Sequence, residues 1–159
     1  MLADFRWTCA NYVYMHDDLF SNNAFETFKE ESIQRNIRIE KAINLELKPN
    51  SPPISKHAET VVNSNCQAIV IITQTDPAAR MVNELYKQGY EGYILIQGAS
   101  MSIASYVRGW QDAATVNKIM KGVIAVDTYA GVGTPRSVLT GVLARERHKT
   151  TKLACFHQV

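Results

Sequence analysis

The sequence predicts an α/β protein: an open, doubly wound, mainly parallel sheet with helices on both faces. Two observations predict it. Four short apolar runs are continuous rather than alternating, which suits strands buried on both faces. Helix-period segments separate them at a spacing that fits βαβ units with right-handed crossovers.

The first run is Tyr12-Val13-Tyr14-Met15. After it, Asn23 offers a helix N-cap, and Phe25, Phe28 and Ile33 give an apolar stripe that ends near Arg35. From Ile37 to Leu45, Ile37, Ile39, Ile43 and Leu45 alternate with Arg38, Glu40 and Asn44, the period of a half-exposed strand near an edge. Lys48 to Pro53 is a loop, and Ser55 can cap a helix through Asn63. Ala68 to Ile72 is the second continuous run. Asp76-Pro77 reads as N-cap and first helical residue; Met81, Val82 and Leu85 form the stripe and Gly89 ends it. Tyr93 to Ile96 is the third run, followed by a helix from Met101 to about Asp112. Val123 to Val126 is the fourth. Beyond Pro135 the pattern weakens. Val138, Leu139, Val142 and Leu143 can start a helix, but residues 135–159 offer no defined element.

A chain of 159 residues suits one domain. Apolar residues make up 46% and charged ones 20%, which excludes disorder. Seventeen basic against 15 acidic side chains give a net +2, too balanced for a nucleic-acid partner. The uncharged stretch Gly92–Val107 holds Gln97, Ser100, Ser102 and Ser105, and falls short of the roughly 20 apolar residues of a membrane span. No signal peptide is visible at the start. Cys9, Cys66 and Cys155 show no metal-site spacing and no dense disulfide framework, and an odd count leaves at least one thiol free or paired outside the chain.

In such a sheet, ligands bind beyond the carboxyl ends of the strands. The residues presented there are His16-Asp17-Asp18, Thr73-Gln74-Thr75-Asp76, Gln97 through Ser100, and Asp127. Asp17, Asp18 and Asp76 raise an alternative: a Mg²⁺-dependent phosphoryl-transfer or receiver-like domain. That reading requires a lysine after the last strand, where the chain has Asp127-Thr128. Asp76 also reads as a helix cap. Gly131-Val-Gly133 lacks the third glycine of a dinucleotide fingerprint, and no nucleophile elbow or P-loop is present. His16 is the one histidine in the crevice, and no serine or cysteine pairs with it. Trp7 and Trp110 read as packing residues.

The ordered series from Tyr12 onward resembles the second lobe of type I periplasmic-binding proteins and the receptor ligand-binding domains built like them. Tyr12–Arg35 is similar to the strand ending in an acidic pair, the loop aromatic and the helix beginning Asn-Ala. The alternating strand Ile37–Leu45, the run Asn65–Ile72, the helix Pro77–Gly89 and Gly122-Val123-Ile124 continue the match. It covers residues 1–134, with Ser21 where the family usually has glycine.

The resemblance implies half of a clamshell, with the first lobe outside this chain. Its expected function is binding a small polar ligand, an amino acid or related metabolite, in a receptor or a transporter-linked protein. No catalysis and no cofactor are implied. The matching contact positions are Phe20, covering the ligand, then Gln74, Thr75, Gln97 and Ser100, with Asp127 or Asp76 as candidates for a ligand ammonium. The implied partners are the first lobe, a membrane-anchored signalling protein or permease, and a second copy in a dimer. The implied location is extracellular, at the cell surface or periplasmic.

Overall fold

The computed structural model describes residues 6–46, 48–97 and 100–126, without the side chains of residues 97, 100–102, 125 and 126. Asp127 and residues 135–159 lie outside this set. Among these residues, strands and helices alternate except that α4 and α5 are consecutive: β1 (Cys9–Tyr14), α1 (Leu19–Gln34), β2 (Arg38–Asn44), α2 (Ile54–Val62), β3 (Ala68–Ile72), α3 (Thr75–Lys87), β4 (Tyr93–Gln97), α4 (Ser100–Arg108), α5 (Ala113–Ile119) and β5 (Val123–Val126). The strands form one parallel sheet in the order β2-β1-β3-β4-β5. The expected open parallel sheet is therefore present, with the alternating strand β2 at its edge.

Helices cover both faces. On one, Ala58, Val61, Met81, Leu85, Ile103, Val107, Val116 and Ile119 from α2 to α5 pack on Val13, Ile43, Ile69, Ile71, Ile94 and Ile96. Each fully buried Leu or Ile there contributes roughly 2 kcal/mol. On the other, α1 lays Phe25 and Phe28 against Tyr12, Tyr14, Val70 and Ile72. β3 is buried at all its positions, as a central parallel strand requires.

Several element ends differ from the sequence reading. α1 starts at Leu19 rather than after Asn23, because the Asp18 carboxylate accepts from the Ser21 N–H at 2.8 Å and takes the cap. α2 starts at Ile54, with Pro53 rather than Ser55 as its N-cap. Gln74, not Asp76, is the N-cap of α3, which puts Asp76 inside the first turn. The helix expected to reach Asp112 stops at Arg108. Asp112 instead caps the separate helix α5 through the N–H groups of Ala114 and Thr115.

The C-terminal ends of α1 and α3 share one geometry. Gly89 (φ +75°) ends α3 in a Schellman turn, with Tyr90 N–H donating to Leu85 O and Gly89 N–H to Tyr86 O. Asn36 (φ +54°) does the same for α1, with Ile37 N–H donating to Ser32 O. Cys9 and Cys66 form a disulfide, which the separation of 57 residues hid in the sequence. Among the described residues, no helix is long and apolar enough to cross a membrane.

Candidate functional site

The strand order makes the site. The chain runs from β1 outward to β2, then returns past β1 to β3, so α1 and α3 leave their neighbouring strands toward opposite faces of the sheet. The loops after β1 and β3 therefore part at this point, which is where the ligand crevice of an open α/β sheet lies.

Its floor is tied by Ser21, a buried hydroxyl on the first turn of α1. Ser21 Oγ accepts from the Met15 N–H at 2.7 Å and donates to the carbonyl of Ile72, the last residue of β3. The position where the family usually has glycine thus carries a working hydrogen-bond bridge. Asp18 spans the crevice above it: one oxygen caps α1, and the other accepts from Gln74 Nε2 at 3.4 Å.

The β1 and β2 loops are joined by a polar chain. The His16 N–H donates to Asn44 Oδ1 at 2.9 Å, and Asn44 Nδ2 donates to Glu46 Oε1 at 3.0 Å. Lys48 Nζ lies 3.2 Å from Asp17 and 3.5 Å from Glu46. The hydrogen bond and charge of Asp17, and then Glu46, raise the Lys48 pKa above its ordinary value. The rim is apolar: Leu19 and Phe20 are 76% and 62% exposed on the first turn of α1.

Asp17, Asp18 and Phe20 therefore share one side of the crevice, while Gln74 and Thr75 stand opposite. Asp76 sits beside them, but its carboxylate turns along α3 to Arg80 at 2.8 Å. The Arg80 guanidinium lies 5.4 Å over the Trp110 ring, and its pKa is raised by the bond to Asp76. Gln97 ends β4 and Ser100 opens α4, which places both backbones at the same sheet edge. Asp127 lies outside the described residues.

The three aspartates of the phosphoryl-transfer alternative are not gathered: Asp17 pairs with Lys48, Asp18 caps a helix and Asp76 pairs with Arg80. Among the described residues, no group of three His, Cys, Asp or Glu side chains is placed to hold a metal ion.

The sequence reading missed Asn44, Glu46 and Lys48 as neighbours of the crevice. The end of the alternating strand was the available signal, since parallel pairing brings its carboxyl end beside that of β1. A separate depression between α2 and the end of α3 is lined by Pro53, Ser55, Lys56, Glu59 and Gln88, and contains none of the expected contact residues.

Residues 1–144 match the family model of the receptor family ligand binding region. The chain belongs to that family. No curated protein sequence matches the chain.

Solved structures share the fold of this receptor-family chain. A protein from Rhodopseudomonas palustris strain CGA009 superposes with a TM-score of 0.64 at 17% identity, over 80% of this chain and 33% of its own. A protein from Rhodospirillum rubrum, assigned to branched-chain amino acid ABC transport, gives 0.63 at 14%, over 84% of this chain and 35% of its own. An extracellular ligand-binding receptor from Rhodopseudomonas palustris HaA2 gives 0.63 at 12%, over 80% and 32%. The chain thus spans about a third of the length of these neighbours.

Proposed function

We propose that this chain acts as one lobe, over residues 1–134, of a two-lobe ligand-binding domain. Its strand-carboxyl edge supplies half of the cleft for a small polar ligand, an amino acid or related metabolite. The observation that carries this reading is the β1/β3 switch point in the strand order, with Gln74 hydrogen-bonded to Asp18 across it and the exposed Phe20 beside them.

An aromatic ring left in water at the edge of a polar crevice suits a surface that is covered when a ligand and an opposing lobe close on it. Thr75, Gln97, Ser100 and Asp127 complete the proposed contact set. The chain is a binding module rather than an enzyme. Family membership supports that part. The Cys9–Cys66 disulfide favours an oxidising, extracytoplasmic location, and so a periplasmic or extracellular role beside a membrane-bound permease or signalling partner.

Calorimetry of the chain with leucine, isoleucine and valine tests the reading. A half-cleft lacks the contacts of the other lobe, so affinities about millimolar or weaker are expected. Phe20→Ala should weaken them about fivefold. Nanomolar binding by the chain alone, or binding unaffected by Phe20→Ala, contradicts the half-cleft.

A further inference from the structure

We propose that His16 is a ligand-contact residue of this crevice, and that its Nε2 accepts a hydrogen bond from a donor group on the ligand: an ammonium, hydroxyl or amide N–H. The inference rests on the binding reading above and adds a residue and a donor polarity to it.

His16 is exposed and lies two residues past the end of β1, at the switch point itself. Its backbone is fixed by the bond from its N–H to Asn44 Oδ1 at 2.9 Å. Its ring is fixed separately, with Nδ1 3.1 Å from Asn22 Oδ1 on the first turn of α1. A carboxamide oxygen only accepts, so Nδ1 carries the proton in that contact. In the neutral ring Nε2 is then an acceptor, because the Asn22 bond fixes the tautomer.

The described hydrogen bonds of His16 occupy its backbone N–H and Nδ1 and leave Nε2 free. An exposed side chain held at both ends has little rotamer freedom left to lose on binding, so its hydrogen bond to a ligand carries little ordering cost. The surroundings agree with a donor. Asp17, Asp18 and Glu46 stand on the adjoining loops with Lys48 as the described cation among them. Leu19 and Phe20 offer an apolar wall on the neighbouring helical turn. A ligand that presents a donor beside an aliphatic group meets both features.

The test compares two probes of one carbon skeleton, L-leucine and 4-methylpentanoate, which lacks the amino group. Long-range ¹H–¹⁵N spectra of the histidine rings are recorded during titration, together with backbone amide shifts. Leucine should move the His16 Nε2 resonance in step with the amides of Phe20 and Gln74, whereas 4-methylpentanoate should leave Nε2 in place. His16→Ala should weaken leucine about three- to tenfold, and Asn22→Ala, which frees the ring, by a smaller factor. If Phe20 and Gln74 respond to leucine while Nε2 stays fixed, or His16→Ala binds as the parent chain does, the His16 assignment is wrong and the cleft reading survives. If no residue of this edge responds to either probe, the cleft reading fails and takes the assignment with it.

Discussion

The buried hydroxyl of Ser21, on the first turn of α1, donates to the carbonyl of Ile72 at the end of β3 and accepts from the Met15 N–H. One side chain thus joins the two strands that flank the crevice to the helix that forms its rim. Ser21→Ala removes both bonds and leaves the buried Ile72 carbonyl and the partly buried Met15 N–H without their partner. A loss of about 2 kcal/mol in unfolding free energy is expected. Chemical denaturation measures it, and a change below about 0.5 kcal/mol would show that the bridge adds little.

Phe20 should behave in the opposite way. It is 62% exposed, so Phe20→Ala removes little packing and should leave stability within about 0.5 kcal/mol. The same substitution should weaken ligand binding. Thermal denaturation beside calorimetry separates these outcomes; a large drop in melting temperature would make Phe20 a structural residue instead.

The disulfide closes a loop between residues 57 apart, from the start of β1 to the approach of β3. Loop-closure entropy gives such a link about 4 kcal/mol, through restriction of the unfolded chain. The double substitution Cys9→Ala with Cys66→Ala should therefore lower stability by several kcal/mol without moving the crevice residues. Denaturation curves with and without reductant check it. Equal curves would show that the link is not formed or does not matter.

Acid should lower the stability of the chain over two pH ranges. Burial lowers the His57 pKa below 6.5, because the charged ring is poorly solvated there. The folded chain therefore binds that proton less tightly than the unfolded chain. This contribution is complete above about pH 6.5 and is lost as the pH falls below it. Asp112 is held below 3.8, first by the Thr115 hydroxyl and then by the Thr115 N–H, so its contribution is lost only as the pH falls below that value. His57→Leu should flatten the upper limb and Asp112→Ala the lower one in a series of melting temperatures against pH. An unchanged upper limb in His57→Leu would assign it to other groups.

Much of the fold was legible because it depends on local pattern. The runs at Ala68–Ile72 and Tyr93–Ile96 are continuous since both faces of β3 and β4 are covered. The alternation from Ile37 to Leu45 marks the edge strand β2, where a register shift at Glu40 sends Ile37 and Ile39 to the α1 face and Ile43 and Leu45 to the opposite one. Helix ends were less legible, because several residues competed for each cap. Asp18 and Asn23 both suit a helix start, and only the bond from Ser21 N–H decides for Asp18. The crevice was legible as a set of loops: Asp17, Asp18, Phe20, Gln74 and Thr75 follow directly from strand ends. Their partners were not. Lys48 reaches Asp17, and Asn44 reaches His16, through the pairing of β1 with β2, which no spacing along the chain encodes.

Amide chemical-shift mapping with L-leucine locates the binding edge residue by residue. The shifts should cluster at residues 16–21 and 73–76, on the two sides of the β1/β3 crevice, with weak and saturable dependence on concentration. Shifts confined to the depression at Pro53, Ser55, Lys56, Glu59 and Gln88, with the crevice silent, would contradict it.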